Sequence, residues 1–198
     1  DLERRDFSVN AMALRLPERV LVDPWGGVEH LLSKTITTPG SPEVSFGDDP
    51  LRMMRAARFT SQLGFTVSPT TVAAMKQLAP QLDIVSVERV SDELTKLLKT
   101  DDPVPGIRLM VETGLADQVL PEIPALKLEV DEYAQHKDVY EHSLTVLRQA
   151  IDLEKSRPTI EGPDLILRIA ALLHDIGKPS TRKIERGGVV TFHHHDVV

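Results

Sequence analysis

The stretch from Gly47 to Phe59 constrains the fold most, because it marks the start of a helix with two unlike faces. Proline is well tolerated at the first helical position and pushes the residue before it out of the helical region, so we expect Asp49 to be the N-cap. At 100° per residue, Arg52, Arg55 and Arg58 fall on one arc of this helix. Small and apolar side chains fall on the opposite arc: Met53, Ala56, Ala57, Thr60 and Leu63.

The basic arc carries arginine at all three positions, with no acidic partner later in the same helix. Arginine is preferred where a planar fork must meet a phosphate or a base edge with two hydrogen bonds. The alternative is a solvated basic face on a capped helix, which accounts for Asp49 and Pro50 but less well for the uniform choice of arginine. We therefore predict a nucleotide or polyanion site on this face.

The overall charge limits where a polyanion could bind. The chain has 198 residues, with 23 Lys plus Arg against 30 Asp plus Glu, a net charge of −7. An acidic chain can bind nucleic acid only through a local basic patch. The absence of cysteine excludes disulfides and thiolate metal sites, and it fits a reducing, cytoplasmic location. The longest apolar run, Leu165–Leu173, contains Arg168 and is too short to span a membrane.

Proline and glycine clusters divide the chain into three segments. Residues 1–40 mix a short helix and a strand with a hairpin over 12–22, too little sheet to stand alone, so we expect partner strands upstream of residue 1. Within the second segment, residues 41–125, the part from residue 48 to residue 125 is predicted to be wholly helical. Residues 126–198 carry six of the seven histidines. The predicted fold class is therefore mostly α, with a small α+β part.

The helix that begins at Ser86 has the clearest pattern in the chain. We predict that its exposed side carries two i, i+4 ion pairs, Arg89 with Glu93 and Asp92 with Lys96. The residues predicted to face the core are Val87, Val90, Leu94, Leu97 and Leu98.

Two helices are predicted in the last segment. The first spans 139–155, with Tyr140, Leu144, Leu147 and Ile151 facing inward. The second starts at Asp164 and is apolar almost all round, so we expect it to be buried.

The second of these helices ends at His174 and Asp175. An imidazole and a carboxylate at the end of an apolar helix cost free energy unless they are paired with each other or bind a cation. A simple His–Asp hydrogen bond is the common case for an isolated pair. His142 and the run His193–His195 lie in the same segment, and this clustering favours a divalent transition ion or Mg²⁺.

Four motifs occur in order and at short spacing: Arg4–Ala11, Asp23–Gly27, Asp48–Phe59 and Glu88–Leu94. Together they resemble the bacterial class II CCA-adding tRNA nucleotidyltransferases, which are related to bacterial poly(A) polymerases. The tail resembles the HD phosphohydrolase domain attached to some of these enzymes, through three further motifs: Glu141–Ser143, His174–Lys178 and His193–His195. The resemblance covers essentially the whole chain.

The resemblance implies three domains. Residues 1–40 would be the C-terminal part of a nucleotidyltransferase α/β head, residues 41–125 a helical neck that carries the nucleotide template, and residues 126–198 an all-α HD domain that is incomplete. The Gly-Gly loop and Asp-x-Asp carboxylates of the family normally precede the Arg-Arg-Asp motif. We therefore expect them upstream of residue 1, with no catalytic residue in this segment, and we expect the chain to be a fragment.

The resemblance also implies roles for particular residues. Asp49 and Arg52 would hydrogen-bond the base edge as a protein template, Arg55 and Arg58 would assist base or triphosphate binding, and Asp23–Gly27 would be a flexible element. The residues that match the family motif for binding the ribose and triphosphate are Arg4, Arg5, Asp6 and Asn10. Those bracing the template helix would be Glu88, Arg89 and Glu93. Those forming the HD metal site would be His142, His174, Asp175 and His195.

The activity implied is the addition of CCA to tRNA 3′ ends from CTP and ATP, with Mg²⁺ for nucleotidyl transfer and a divalent metal of unknown identity at the HD site. Two alternatives stay open: a poly(A) polymerase-type activity, and an HD-domain phosphohydrolase acting on nucleotides or 2′,3′-cyclic phosphates. tRNA, CTP and ATP are the implied partners, and no membrane contact is expected.

Overall fold

The computed structural model describes residues 1–127, 138–157, 162–184 and 190–197. These residues are mostly helical with a few short strands, which confirms the predicted fold class. They form two compact units, Asp1–Gln118 and Val119–Val198, and the predicted domain boundaries near residues 40 and 125 stay predictions. Among the described helices, none combines the length and the apolar character needed to cross a membrane.

The elements follow one another in a simple order. The strands are β1 (Ala13–Arg15), β2 (Val20–Val22), β3 (Thr35–Ile36), β4 (Thr66–Val67), β5 (Lys183–Ile184) and β6 (Val190–Thr191). The helices are α1 (Gly27–Leu32), α2 (Pro42–Asp48), α3 (Leu51–Leu63), α4 (Pro69–Leu78), α5 (Val87–Leu98), α6 (Val104–Thr113), α7 (Leu115–Val119), α8 (Glu122–Ala125), α9 (Val139–Lys155), α10 (Leu165–Leu173) and α11 (Lys178–Thr181). Short 3₁₀ turns lie at Leu2–Arg4, Ser8–Asn10 and Ala79–Ile84.

The strands of the described ranges form three separate pairs. β1 and β2 make the predicted antiparallel hairpin, with Ala13 opposite Val22. β3 runs parallel to β4, with Thr35 opposite Thr66. The prediction that the chain is helical throughout from residue 48 to 125 is therefore wrong at β4, where a short extended segment pairs with the strand that follows α1.

Helix α3 lies at the centre of the first unit and packs against α5 and α6. Its buried side carries small side chains such as Ala56 and Ala57, and α6 approaches it through Gly106, whose backbone N–H donates to Ser61 Oγ at 2.9 Å. A Cβ on Gly106 would clash with the Ala57 carbonyl oxygen. The predicted close packing on this arc is present, and a glycine on the partner helix completes it.

The start of α3 differs from the prediction by one residue. An unpredicted helix, α2, precedes it, because Ser41 and Pro42 supply a side-chain cap and a first-turn proline just as Asp49 and Pro50 were expected to do. α3 itself begins at Leu51 with Pro50 in the capping position. The Asp49 carboxylate still accepts a hydrogen bond from the Leu51 backbone N–H, at 3.3 Å.

The exposed side predicted for α5 is partly wrong. The pair of Lys96 and Asp92 forms on the surface, but Glu93 is only 3% exposed and turns toward α3, whereas Val87 is 79% exposed. The inward face of α5 is set by its contact with the arginine-bearing arc of α3, so a carboxylate occupies a position that hydrophobic periodicity assigns to solvent.

In the second unit, α9 packs against α10. The predicted bounds of α9 are confirmed, and all four residues predicted to face inward are buried. The prediction that α10 is buried all round is wrong, because Ile166 is 83% exposed. Its buried side instead holds Arg168, whose guanidinium donates two hydrogen bonds to the carboxylate of Glu154 on α9, from Nε at 3.0 Å and from NH2 at 2.9 Å.

The buried pair of Glu154 and Arg168 is expected to make the second unit sensitive to acid. The Arg168 hydrogen bond lowers the pKa of Glu154 from its ordinary value. A carboxyl whose pKa is lower when folded stabilises the fold above its unfolded pKa and loses that contribution as pH falls through the folded pKa. Glu154→Gln should lower the free energy of unfolding at pH 7 by about 3–5 kcal/mol, and the gap to wild type should shrink as the solution is acidified below pH ~4.5.

Denaturant unfolding followed by tyrosine absorbance measures this, because the single tryptophan, Trp25, reports on the first unit. Asp152→Asn is the matched control, since it removes an exposed carboxylate from the same helix and should change stability by about 0.5 kcal/mol or less. A Glu154→Gln variant as stable as wild type at pH 7 would contradict the assignment.

Candidate functional site

The arginines of α3 are all engaged within the first unit. Arg52 donates to the backbone oxygen of Ser45 at 3.2 Å, to its hydroxyl at 2.8 Å, and to the backbone oxygen of Arg4 at 2.6 Å. Arg55 donates twice to Asp6, from Nε at 2.9 Å and from NH2 at 2.5 Å. Arg58 donates to Glu93 at 2.7 Å and lies over the Phe59 ring.

The partners of these arginines come from distant parts of the sequence. Asp6 lies 49 residues before Arg55, and Glu93 lies 35 residues after Arg58. Arg55 also approaches Glu93, at 3.6 Å. The polar arc of α3 is therefore an ion-paired interface with the N-terminal segment and with α5, rather than a solvated basic face.

Asp49 has a different environment. Its carboxylate accepts two hydrogen bonds from one nitrogen of Arg89, at 3.1 and 3.3 Å, and both side chains are substantially exposed, 32% for Asp49 and 55% for Arg89. Asp49 and Arg52 are one helical turn apart, joined by a hydrogen bond from the Arg52 N–H to the Asp49 carbonyl. Each of the two side chains meets a separate partner.

The remaining residues predicted for this site occupy several positions. Arg4, Arg5 and Asn10 are exposed, and Asn10 donates to Asp6 at 3.2 Å. Glu88 is exposed at the start of α5, where its own backbone N–H and then the Ser86 hydroxyl lower the pKa of its carboxyl. The Asp23 carboxylate accepts from the N–H groups of Val28 and Gly27, which lower its pKa and hold the start of α1.

The second unit brings together all four residues predicted to bind a metal. Asp175 is 4% exposed and lies at the centre. The Nε2 atoms of His174, His195 and His142 lie 3.1, 3.5 and 3.9 Å from its carboxylate oxygens. Sequence reasoning missed Lys178, whose Nζ lies 2.7 Å from Asp175.

Hydrogen bonds fix which nitrogens can bind an ion. His174 Nδ1 lies 2.9 Å from the Ala171 carbonyl oxygen, and His195 Nδ1 lies 2.8 Å from that of Phe192. A carbonyl oxygen only accepts, so each Nδ1 carries a proton and each Nε2 faces the Asp175 carboxylate. Two imidazole Nε2 atoms beside a carboxylate are donors of the kind that divalent transition ions bind, so this set fits a divalent ion.

The spacing of these donors agrees with a shared ion. Ligand atoms of His142, His174 and Asp175 all lie within 4.8 Å of one another. Opposite ligands of an octahedral ion bound at about 2.1 Å are separated by roughly 4.2 Å.

Gly177 controls the position of His195. A Cβ on Gly177 would clash with the backbone oxygen of His195, so the turn that carries this histidine can approach only a glycine. The glycine of the His174–Lys178 motif therefore positions a residue of the candidate metal site through packing.

Models of three protein families match successive parts of the chain. They are the poly(A) polymerase head domain over residues 1–37, the probable RNA- and SrmB-binding site of polymerase A over residues 64–126, and the HD domain over residues 139–198.

An A-adding tRNA nucleotidyltransferase of Deinococcus radiodurans is 41% identical over the whole of this chain and 45% of its own length. The chain belongs to the poly(A) polymerase and CCA-adding tRNA nucleotidyltransferase family. A multifunctional CCA protein of Alkalilimnicola ehrlichii is 38% identical over 91% of the chain and 43% of its own length. The crystal structure of the Bacillus stearothermophilus CCA-adding enzyme with CTP aligns with a TM-score of 0.59 and 36% identity, over 80% of this chain and 40% of that one.

This nucleotidyltransferase-family chain spans somewhat less than half the length of these relatives. Nucleotidyltransferase and HD domains generally use divalent metals, and the histidine-rich cluster of the second unit has the donors for one.

Replacing His195, the last histidine of the run His193–His195, tests whether its side chain binds a metal ion. His195→Ala removes an Nε2 donor and is expected to weaken Mn²⁺ binding, measured by titration calorimetry, by more than about tenfold. His194→Asn is the matched control, because His194 is exposed and has a positive φ of 62° that asparagine tolerates. Equal Mn²⁺ affinities for the two variants would show that His195 is not a ligand.

Proposed function

We propose that this chain selects CTP and ATP for addition to tRNA 3′ ends, within a protein that completes the CCA sequence. The observation that carries the proposal is the placement of Asp49 and Arg52 one turn apart at the start of α3, in a member of this family. An ionised carboxylate accepts a hydrogen bond from an exocyclic amine, and a guanidinium donates to ring acceptors. Cytosine and adenine both offer an amine beside an acceptor.

The two kinds of ion pair on α3 support this assignment. An exposed pair such as Asp49 with Arg89 contributes about 0–1 kcal/mol, so Asp49 can exchange Arg89 for a base amine at small cost. Removing one partner of a buried pair such as Arg58 with Glu93 costs about 3–5 kcal/mol, so Arg58 stays in place. Asp49 and Arg52 then read the base, whereas Arg58 and Glu93 hold the helix that carries them.

The phosphates require positive charge and Mg²⁺. Arg4 and Arg5 are exposed on the turn whose backbone oxygen meets Arg52, which makes them the candidate triphosphate ligands. Mg²⁺ accompanies the triphosphate in this proposal, and no residue of the described ranges is assigned as its ligand. tRNA is the proposed acceptor.

Nucleotide binding tests the template assignment. Asp49→Ala and Arg52→Ala should each weaken CTP and ATP binding by about 10- to 150-fold, the effect of losing one hydrogen bond to a charged group. Asp92→Ala is the matched control, because it removes an exposed carboxylate that pairs with Lys96 on its own helix, α5. Wild-type affinity in both template variants, measured by calorimetry, would refute the template.

Addition of adenosine alone is the second candidate, favoured by the 41% identity to an A-adding enzyme over the whole chain. The same two template residues would serve either activity, and they would also serve a poly(A) polymerase activity. ATP binding without CTP binding by the wild-type chain would select the adenosine-only activity.

Phosphohydrolysis is a further candidate activity of the second unit, favoured by the cluster around Asp175. A divalent ion, when bound, activates water and polarises a phosphoryl oxygen. Asp175, His142 and His174 would hold the ion, His195 Nε2 lies 3.5 Å from the same carboxylate as a further donor, and Lys178 Nζ lies 2.7 Å from it. His174→Ala should abolish metal-dependent hydrolysis of 2′,3′-cyclic phosphates, and hydrolysis that survives this change would exclude the site.

A further inference from the structure

One oxygen of the Asp175 carboxylate, Oδ2, is approached by three side chains of the second unit. Lys178 Nζ donates to it at 2.7 Å, His174 Nε2 lies 3.1 Å away and His142 Nε2 lies 3.9 Å away. The contact with Lys178 is largely enclosed, because the side chains of Lys178 and Asp175 are 21% and 4% exposed. The ammonium therefore uses one of the lone pairs of the oxygen that lies nearest to these two histidines.

A divalent ion at this donor set would need the same oxygen. Ligand atoms of His142, His174 and Asp175 lie within 4.8 Å of one another, and both imidazoles approach the carboxylate most closely at Oδ2. An ion bound to Oδ2 at about 2.1 Å would lie within about 5 Å of an ammonium on the same oxygen. Two positive charges at that distance repel each other, and they do so more strongly in a largely buried site than in water.

Lys178 has a second partner within reach. Its Nζ lies 5.8 Å from the centre of the Phe192 ring, inside the range of roughly 6 Å for a cation–π interaction. Phe192 belongs to the turn that carries His195, where its carbonyl oxygen lies 2.8 Å from His195 Nδ1. The flexible stem of the lysine can therefore move the ammonium from the carboxylate toward the ring without taking it out of the site.

We propose that Lys178 competes with the divalent ion for Asp175 and so weakens metal binding by the second unit. The ion binds the fraction of molecules in which the ammonium has moved from Oδ2 toward the Phe192 ring, and the apparent affinity is reduced by that fraction. Occupancy of the site then follows the free metal concentration over a higher range. This inference rests on the metal site proposed for the second unit, and it adds a residue that opposes the ion.

Titration calorimetry with Mn²⁺ on the whole chain tests the competition. Lys178→Met keeps the length of the side chain and removes its charge. It should bind Mn²⁺ about tenfold more tightly than wild type, or more, because the ion no longer has to displace a charge-assisted hydrogen bond. Lys178→Arg keeps the charge and should bind no more tightly than wild type. Lys155→Met is the matched control, because it removes an exposed lysine at the end of α9 opposite to His142 and should leave the affinity unchanged.

Replacing Phe192 tests the second position of the ammonium. Phe192→Leu removes the aromatic ring and keeps an apolar side chain, so it should weaken Mn²⁺ binding by about two- to fivefold where Lys178 is present. In the Lys178→Met background the same change should have no effect, because no ammonium then needs the ring. Thermal unfolding of each variant defines the temperature below which the titrations are made.

Two results would overturn the proposal while leaving the metal site intact. One is a Lys178→Met variant that binds Mn²⁺ as wild type does or more weakly, which would mean that the lysine does not oppose the ion. The other is an equal effect of Phe192→Leu in both backgrounds, which would mean that the ring acts independently of the ammonium. Wild-type Mn²⁺ affinity in His174→Ala would instead contradict the metal site itself, so the two failures are distinguishable.

Discussion

The ion-paired arc of α3 is the interaction on which the first unit depends. Arg55 and Arg58 meet Asp6 and Glu93 from segments far apart in sequence, and both carboxylates are buried. A buried carboxylate without its arginine is strongly destabilising, so these contacts allow few alternative arrangements of the N-terminal segment, α3 and α5. Asp49 and Arg52 lie at the start of the helix that this network holds. Asp49 keeps an exposed partner in Arg89, and the Arg52 guanidinium, which has five N–H donors, is hydrogen-bonded to Ser45 and Arg4.

Hydrophobic periodicity predicted the helices well and their charged contacts poorly. The bounds of α9 and its four inward residues follow directly from spacing. Glu93 was assigned to solvent, and Arg168 was treated as an interruption of an apolar run. A pattern of apolar residues cannot show that a charge is buried with a partner. In both cases the partner lies on another helix, Arg58 for Glu93 and Glu154 for Arg168, so the pairing depends on tertiary packing that the sequence spacing does not contain.

The residues of the candidate metal centre were easier to predict from the sequence than the buried ion pairs. His174 and Asp175 are adjacent, and the clustering of histidines in the last segment indicated their companions. The motif resemblance supplied His142 and His195. Neither source could supply the reason for Gly177, which is the approach of the His195 backbone, or the contact of Lys178 with Asp175. Those features depend on how a turn folds back over the end of α10.

The central claim is that the arginines of α3 divide into one that reads the nucleotide and two that hold the helix. A crystal structure of this chain with CTP tests it most directly. We expect the cytosine edge within hydrogen-bonding distance of Asp49 and Arg52, with Arg89 displaced from Asp49 and with Arg55 and Arg58 still on Asp6 and Glu93. A complex in which Arg55 leaves Asp6 to bind the triphosphate, while Asp49 keeps Arg89, would contradict the account.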